Sequence, residues 1–338
     1  MTHKHGNTLA KIVEGFPRLT VSVLADLVAD EFVFGEISRV SREAPVLILK
    51  HRERTVVPGG GANAICNLAA LEVNVLPVGL VGDDEPGRLL LQQFRKRHIP
   101  ISGIQKVKGH TTVTKTRILA GMAHTSRQQV VRVDREPQGP LDRHVVGELI
   151  LAARKYARAA DALLISDYGY GAATPEVLTA IRSRGALDGM PITLDSRYRM
   201  LQYTGITAST PNEPEVEEAL AVKIGNDNAQ LMSAGKALLQ RMKLESLVIT
   251  RGRDGMVAFE RTKKPVEIPI FGSDQVTDVT GAGDTVIATF TAALAAGADA
   301  EAAARLANIA GGIVVMKRGT ATVSRQELLD AINKAPAP

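Results

Sequence analysis

The second half of the sequence alternates between helical and extended segments in a regular order. A helical segment that ends near residue 160 is followed by an apolar strand at 162–165, a helix that begins at Pro175 and a second apolar strand at 191–194. Strands joined by a crossover helix lie parallel in one sheet, and the crossover is right-handed. The order of segments therefore predicts an α/β fold with a mainly parallel central sheet flanked by helices.

Two other regions have a different pattern and predict a small second layer. Residues 33–58 contain short alternating segments without helical periodicity, and residues 105–135 contain two runs that alternate like the strands of a hairpin. We expect these two regions to form one β-lid over the parallel sheet. Because the sequence has no internal repeat and no long linker, we expect a single domain over residues 1–338.

Charge and aromatic content limit the class of partner. The 338 residues carry a formal net charge of +5, but Lys and Arg are scattered among Asp and Glu, and only 4% of the residues are aromatic. Nucleic-acid binding usually requires a clustered basic surface or stacking side chains, so we expect no nucleic-acid partner. Small anionic ligands fit this composition better.

Cysteine content and hydropathy predict the compartment. Cys66 is the single cysteine, which excludes an intrachain disulfide and suits a reducing compartment. The sequence has no apolar run of about 18 residues, and its N-terminus lacks the charged-then-apolar layout of a signal peptide. We therefore expect a cytoplasmic protein with no membrane partner.

The stretch from Asp278 to Asp284 combines a tight turn with the start of a helix. Gly281, Ala282 and Gly283 are small enough for the turn, and an apolar helical run follows. Unpaired N–H groups and the helix dipole favour an anion at such a helix N-terminus. Asp284 then either complements the dipole or acts as a general base beside a bound phosphate. The remaining motifs of the chain favour the general base.

Acidic residues follow several predicted strands. Asp26 and Asp30 come at the end of the first strand, and Asp167 ends a later one. Open parallel sheets bind ligands at the carboxyl ends of their strands, so these side chains either bind ligand hydroxyls or serve as turn and capping residues.

A glycine-rich loop precedes a helix of small residues. Gly59 and Gly60 allow a close backbone approach to a ligand, although tight packing explains such a loop equally well. Asn63 and Asn67 lie one turn apart on an otherwise apolar helix face, where buried amides need hydrogen-bond partners. A polyhydroxylated ligand would supply them.

Two further pairs of polar residues have alternative interpretations. Lys115 and Arg117, in the predicted lid, either are solvated or contact an anionic substrate. Asn212 and Glu215, three residues apart at a helix start, either orient water around Mg²⁺ or form a helix cap.

Taken together, these motifs resemble those of the ribokinase-like (PfkB) carbohydrate kinases. The stretch 278–284 resembles the C-terminal signature of that family, and the stretch 59–63 resembles its N-terminal glycine motif. The two lie in the expected order over about residues 21–329. The resemblance implies a ribokinase-like fold and a transfer of the γ-phosphate of ATP to a sugar hydroxyl, with Asp284 as general base.

The resemblance also implies partners for other residues. The implied cofactors are Mg²⁺ and K⁺ in addition to ATP, and the implied assembly is a homodimer that forms through the lid. The implied sugar contacts are Asp26, Asp30, Gly59, Gly60, Asn63, Lys115, Arg117 and Asp167. The implied nucleotide contacts are Asn212, Thr250, Gly252, Gly255 and Asn308. Asn212 and Glu215 would hold Mg²⁺ through water, and Asp278, Thr280 and Gly319 would surround a monovalent cation.

Three segments are similar to a narrower group, the heptose 7-phosphate kinases, which phosphorylate O1 of D-glycero-D-manno-heptose 7-phosphate. They are 37–46, 115–117 and 166–168. Two positions depart from that group: Tyr170 replaces a lysine, and Ser196-Arg197 replaces Pro-Lys. A ribokinase-, fructokinase- or nucleoside-kinase-like activity is the alternative, and a non-catalytic sugar or nucleotide sensor on the same fold is a third.

Overall fold

The computed structural model describes residues 2–121, 128–183, 185, 187–272 and 277–334. Within these ranges, no helix is long and apolar enough to cross a membrane. The strands are β1 (Thr20–Ala25), β2 (Leu27–Val40), β3 (Leu47–Gly60), β4 (Asn74–Gly82), β5 (Ile104–Val107), β6 (Val113–Gly121), β7 (Gln128–Arg135), β8 (Ala162–Asp167), β9 (Ile192–Ser196), β10 (Ala208–Ser209), β11 (Ser246–Thr250), β12 (Met256–Glu260) and β13 (Val266–Ile268). The helices are α1 (Thr2–Glu14), α2 (Gly61–Ala70), α3 (Glu85–Lys96), α4 (Arg143–Ala157), α5 (Pro175–Arg182), α6 (Glu213–Leu220), α7 (Asn228–Arg241), α8 (Ala282–Ala295), α9 (Ala300–Val314) and α10 (Arg325–Lys334).

A large sheet forms the centre of the molecule. Its strands lie in the order β13-β12-β11-β10-β9-β8-β1-β4-β5. The strands from β5 to β11 pair in parallel, and β12 and β13 add an antiparallel edge. The predicted α/β fold with a mainly parallel central sheet is confirmed.

The two faces of this sheet carry separate hydrophobic cores, because successive residues of a strand point to opposite sides. In β1, Val21 and Val23 pack in the core that contains apolar side chains of α2, α8 and α9, whereas Leu24 packs in the core formed with α4, α5 and α7. Helices therefore cover both faces, as the alternation of strands and helices predicts.

A smaller sheet, which we call the lid, has the strand order β3-β2-β6-β7. Strand β2 begins one residue after Asp26, so the lid continues directly out of β1 and starts earlier than the expected residue 33. The second lid segment starts later than expected, because β5 pairs with β4 at the edge of the large sheet. The buried residues at the start of β2 would fit either sheet, and so would the alternating residues of β5. The sequence pattern therefore does not fix the residue at which each lid segment starts.

The carboxyl ends of the central strands meet at one edge of the large sheet. Ala25 in β1 pairs with Ser166 in β8, and Ser166 pairs with Asp195 in β9. Asp26 and Asp167, which follow or end these strands, therefore lie at the same edge. Helices α2 and α8, which pack against each other, also begin there.

Candidate active site

Helix α8 begins in a tight turn that depends on Gly281. This residue has a φ of 79°, in the left-handed region, and a Cβ placed there would lie 2.4 Å from Nδ2 of Asn63. The N–H of Ala282 donates to a carbonyl of the same turn at 3.2 Å. Within the described residues, the N–H groups of Gly283 and Asp284 make no hydrogen bond. The turn therefore presents unpaired donors where an anion is favoured.

Asp284 lies in the first turn of α8 and is 4% exposed. Nδ2 of Asn63 donates to its Oδ2 at 2.9 Å, and the hydroxyl of Tyr168 donates to its Oδ1 at 2.7 Å. Asn63 is itself fixed by the side-chain amide of Asn67, whose oxygen accepts a hydrogen bond from Thr285. A connected set of side chains thus orients the Asp284 carboxylate.

The environment of Asp284 suits a general base. Burial raises the pKa of Asp284 to about 6, against the lowering effects of the hydrogen bonds from Asn63 and Tyr168 and of the charge of Lys115. Such a carboxylate is mainly ionised at neutral pH, yet it is more basic than an exposed aspartate. Its pKa is close to the operating pH, which is the condition that favours general base catalysis.

Asp26 is 2% exposed and has a different set of partners. Its Oδ2 accepts the backbone N–H groups of Tyr168 and Tyr170, each at 2.9 Å, and its Oδ1 accepts those of Ala172 at 2.8 Å and Ala173 at 3.3 Å. Burial raises the pKa of Asp26 to about 6 in spite of these donors. Because the carboxylate is used by the loop after β8, the geometry favours a turn residue over the predicted contact with a ligand hydroxyl.

Asp167 is also occupied by the protein. Its carboxylate, 1% exposed, forms an ion pair with Arg199 and accepts hydrogen bonds from the hydroxyls of Ser196 and Tyr203, each at 2.9 Å. The backbone N–H of Gly169 adds another donor at 2.9 Å. This set of partners favours a structural role for Asp167 over the predicted contact with the sugar.

Asp30 faces the site from the lid. It forms an ion pair with Arg117, and the hydroxyl of Thr320 lies 3.5 Å from its Oδ2. A Cβ on Gly59 would lie 2.3 Å from the same oxygen, so the glycine leaves room for the carboxylate. A Cβ on Gly281 would lie 3.2 Å from the methyl group of Thr320, so this side chain is also close to the turn before α8. The structure therefore brings the lid residues next to the start of α8.

Lys115 extends from β6 of the lid over two tyrosine rings. Its Nζ lies 5.5 Å from the ring centre of Tyr168 and 6.0 Å from that of Tyr170. Within the described residues it makes no hydrogen bond and no ion pair. Burial and, next, the charge of Arg197 lower the pKa of Lys115. A half-buried ammonium beside another cation favours a bound anion.

The residues predicted to contact the nucleotide lie on neighbouring elements of the structure. Thr250 at the end of β11 bridges to Asn212 at the start of α6. Gly252 and Gly255, with φ of 55° and 79°, form the turn into β12, and a Cβ on Gly255 would lie 2.2 Å from a backbone oxygen of β13. Asn308 in α9 donates to the carbonyl that follows β13 at 2.8 Å. Their contacts with a nucleotide remain predictions.

Asn212 and Glu215 form a reciprocal helix cap. Oδ1 of Asn212 accepts the N–H of Glu215, and Oε2 of Glu215 accepts the N–H of Asn212, both at 2.9 Å. The predicted alternative, a capped helix start, is confirmed. This capping does not test the predicted magnesium contact.

Asp195 is a half-buried carboxylate close to this cap. It makes no hydrogen bond or ion pair within the described residues. Burial and, next, the charge of Glu215 raise the pKa of Asp195 well above its usual range, and burial also raises that of Glu215. A cation would relieve this repulsion. No group of three or more His, Cys, Asp or Glu in the described part of the chain is arranged to hold a metal, so water would complete the coordination.

The three residues predicted around a monovalent cation lie together. The carboxylate of Asp278 accepts the backbone N–H of Thr280 at 2.9 Å and that of Gly319 at 3.0 Å. Burial raises the pKa of Asp278, but these hydrogen bonds outweigh burial and lower it overall. Asp278 therefore joins the turn before α8 to the loop after α9 as an ionised carboxylate.

Three residues of the site had no role assigned from the sequence. Tyr168 donates to Asp284, Asp195 faces Glu215, and Thr320 joins Asp30 to the turn at Gly281. Tyr168 and Asp195 lie at the carboxyl ends of strands, which is a signal that the sequence contains. Nothing in the sequence near Thr320 indicates its contact with the lid.

The fold and the site define the class of protein. Arabidopsis thaliana ribokinase, solved with ribose and ATP, superimposes with a TM-score of 0.71 at 19% identity, covering 94% of this chain and 99% of that one. Escherichia coli phosphofructokinase-2, solved with potassium, gives a TM-score of 0.74 at 17% identity, covering 93% and 98%. At these identities the likeness establishes the fold, which is ribokinase-like.

The family follows from the sequence match. The model of the pfkB family carbohydrate kinases matches residues 28–327, and the chain belongs to this family. The predicted resemblance is confirmed. The protein is a phosphotransferase that acts on a hydroxyl of a carbohydrate.

Curated relatives carry the name "Bifunctional protein HldE". The protein of this name from Trichlorobacter lovleyi is 36% identical over 312 residues, and the one from Caulobacter sp. (strain K31) is 39% identical over 326 residues. These alignments cover 92% and 96% of this chain but only 62% and 64% of the relatives. The chain therefore spans less than two thirds of the length of the relatives it matches.

Proposed function

We propose that the protein transfers the γ-phosphate of ATP to a hydroxyl of a sugar or sugar phosphate, and that its acceptor is O1 of D-glycero-D-manno-heptose 7-phosphate. The observation that carries the proposal is the position of Asp284. It is buried at the start of α8, held by Asn63 and Tyr168, and adjacent to unpaired backbone donors. The similarity to proteins named HldE and the resemblance of three segments to heptose 7-phosphate kinases support the acceptor.

In the proposed reaction, Asp284 accepts the proton of the acceptor hydroxyl while that oxygen attacks the γ-phosphorus. The bond between the γ-phosphorus and the β–γ bridging oxygen breaks, and ADP leaves with the electron pair. The turn formed by Gly281, Ala282 and Gly283 would place backbone N–H groups near the charge on the transferring phosphoryl oxygens. The helix dipole of α8 adds to this stabilisation.

The lid supplies the groups that would hold the acceptor. Asp30 and Arg117 would bind hydroxyl and anionic groups, and Lys115 would bind a negatively charged oxygen close to Asp284. Gly59 and Gly60 permit this close approach of lid and site. A closed lid would also exclude water, which otherwise competes with the sugar as phosphoryl acceptor.

Two cation sites accompany the proposal. Burial raises the pKa of both Glu215 and Asp195, and the charge of Glu215 raises that of Asp195 further, so the pair fits a water-ligated Mg²⁺ near the start of α6, with Asn212 beside them. Bound there, Mg²⁺ would neutralise charge on the β- and γ-phosphate oxygens. Asp278 with the backbone of Thr280 and Gly319 would hold K⁺ and so stabilise the turn that precedes α8.

The proposed homodimer would form through the lid. Val130, Val131 and Val133 on β7 are 45–50% exposed, and Leu47 at the start of β3 is 43% exposed. Apolar strand residues of this kind favour burial against a partner. A second copy of the chain is the partner that the family resemblance implies.

A second acceptor class has one specific observation in its favour. At the position where heptose 7-phosphate kinases have a lysine, Tyr170 donates its hydroxyl to Glu136 at 3.0 Å. A carboxylate at this place disfavours a distal phosphate of the acceptor. An unphosphorylated sugar such as ribose or fructose, or a nucleoside, is therefore the alternative acceptor.

A panel of phosphoryl acceptors tests the proposal. ADP release and ³¹P NMR of the product would be measured with heptose 7-phosphate, the unphosphorylated heptose, ribose, fructose, fructose 6-phosphate and a nucleoside. We expect acceptor-dependent ADP release that is highest with heptose 7-phosphate, with the new phosphate on O1. A preference for an unphosphorylated sugar would establish the alternative, and ADP release that no acceptor stimulates would contradict both.

A further inference from the structure

Tyr168 is fixed from several directions in addition to its contact with Asp284. Its backbone N–H donates to Asp26 at 2.9 Å, and its ring lies under Nζ of Lys115. A Cβ on Gly60 would lie 3.2 Å from the ring, so the glycine provides the surface on which the ring packs. These contacts leave the phenol little freedom to turn away from Asp284.

The two donors to Asp284 belong to different parts of the fold. Asn63 comes from α2, and its amide is locked by Asn67 and by the carbonyl of Gly281, to which it donates at 3.3 Å. Tyr168 comes from the loop after β8, which the carboxylate of Asp26 organises. Each donor holds one oxygen of Asp284. Rotation of the carboxylate would break both hydrogen bonds at once.

We propose that Tyr168 is a positioning residue that, together with Asn63, holds the carboxylate of Asp284 ionised and oriented toward the acceptor hydroxyl. This inference rests on the proposed function of Asp284 as general base. It also gives Asp26 and Gly60 an indirect part in the reaction, because both fix the place of the Tyr168 ring. Tyr168 itself need not touch the reacting atoms.

The protonation states of the pair are consistent with this role. Burial and the neighbouring charge of Asp284 raise the pKa of Tyr168 well above its usual range, so the phenol keeps its proton and remains a donor. The hydrogen bond in turn lowers the pKa of Asp284 against the effect of burial. Loss of the hydroxyl would therefore raise the pKa of Asp284 above about 6 and protonate more of the base at neutral pH.

The chain contains a matched control two residues away. The ring of Tyr170 also lies within 6.0 Å of Lys115, and its backbone N–H also donates to Asp26, but its hydroxyl donates to Glu136 instead of Asp284. Tyr168→Phe and Tyr170→Phe each remove one hydroxyl and keep the ring. Only the first removes a donor from Asp284.

The experiment compares the pH dependence of kcat/KM in the wild type and the two variants, using the best acceptor of the panel. In the wild type we expect activity to fall as pH drops through about 6, as Asp284 is protonated. We expect Tyr168→Phe to move this acid limb upward by about one pH unit and to lower kcat about tenfold. Tyr170→Phe should leave the acid limb where the wild type has it.

A second measurement is independent of turnover. The carboxyl carbon of Asp284 would be titrated by ¹³C NMR in protein labelled at aspartate, with its signal assigned by its absence in Asp284→Asn. An upward shift of its pKa in Tyr168→Phe alone supports the proposal. Coincident titrations of Asp284 in the wild type and Tyr168→Phe would overturn it. If no acceptor is phosphorylated, the proposed function fails, while the NMR titration still decides whether Tyr168 controls the carboxylate.

Discussion

Asp26 and Asp284 are two buried aspartates at the same edge of the sheet, and burial raises the pKa of each to about 6. They differ in the groups that hold them. Asp26 accepts four backbone N–H groups, whereas Asp284 accepts one side-chain amide and one hydroxyl. A raised pKa therefore does not distinguish a base from a structural carboxylate, but the set of partners does.

The nature of the donors explains the difference. A backbone N–H can only donate, so the four N–H groups around Asp26 require a side chain that accepts hydrogen bonds with both of its oxygens. A hydroxyl such as that of Tyr168 can donate or accept, so the place of Asp284 tolerates a change in protonation. A general base gains and loses a proton in each cycle, and only the second arrangement allows this without breaking the surrounding hydrogen bonds.

The largest effect that would test this comparison is on turnover. Asp284→Asn should lower kcat by about 10²–10⁴-fold, because the amide cannot accept the proton of the acceptor hydroxyl. Binding of ATP, measured by calorimetry, should be retained, since the backbone donors of the turn are unchanged. Turnover close to that of the wild type would remove Asp284 from its proposed role.

Asp284→Asn should lower activity but raise the free energy of unfolding of the protein. The asparagine amide can donate to the oxygen of Tyr168 while its carbonyl accepts from Asn63, so the Tyr168 hydroxyl is the one partner of this carboxylate that must turn to another acceptor. The pKa of Asp284 rises from 3.8 to about 6 on folding, so the native state binds this proton more tightly than the unfolded chain. Stability therefore falls as pH rises from about 4 to about 6, and Asp284→Asn should recover up to about 3 kcal/mol at neutral pH.

Asp26→Asn should be less stable than Asp284→Asn. In either orientation the asparagine NH₂ group would face two backbone N–H donors, those of Tyr168 and Tyr170 or those of Ala172 and Ala173. Removal of the charge should recover a similar free energy at Asp26 and at Asp284, because the pKa of each rises to about 6. Two buried donors without an acceptor should therefore leave Asp26→Asn about 2–5 kcal/mol less stable than Asp284→Asn. Urea unfolding of both variants at neutral pH provides the measurement. Equal stabilities of Asp26→Asn and Asp284→Asn would contradict the distinction between the two carboxylates.

The sequence predicts the fold better than it predicts the roles of individual carboxylates. Alternating strands and helices specify a parallel sheet, and parallel strands bring their carboxyl ends to one edge, so Asp26 and Asp167 could be placed together. Whether a carboxylate is already satisfied depends on donors far away in the sequence. Asp167, for instance, is used by Arg199 and Tyr203, and no local pattern indicates this pairing.

The same limit applies to Asn63 and Tyr168. The sequence indicated that the amides at 63 and 67 needed partners, and a ligand was the expected partner of Asn63. The structure instead provides Asp284, 221 residues further along the chain, and Thr285 for Asn67. Because such pairs form only when α2 packs against α8, they are a property of the tertiary structure and not of either segment.

The two glycines at the start of α8 sharpen the comparison further, because only Gly281 contacts a side-chain partner of Asp284, the amide of Asn63. Gly281→Ala would force a left-handed residue to carry a Cβ and would place it 2.4 Å from Nδ2 of Asn63. We expect it to lower the free energy of unfolding by about 1–2 kcal/mol and to weaken the hydrogen bond between Asn63 and Asp284. Gly283 lies within α8 with nothing within 4 Å of an added Cβ, so Gly283→Ala should leave stability unchanged or raise it by about 0.5–1 kcal/mol. Urea unfolding of the two variants checks the difference, and an equal loss in both would show that the contact of Gly281 with Asn63 does not hold the turn.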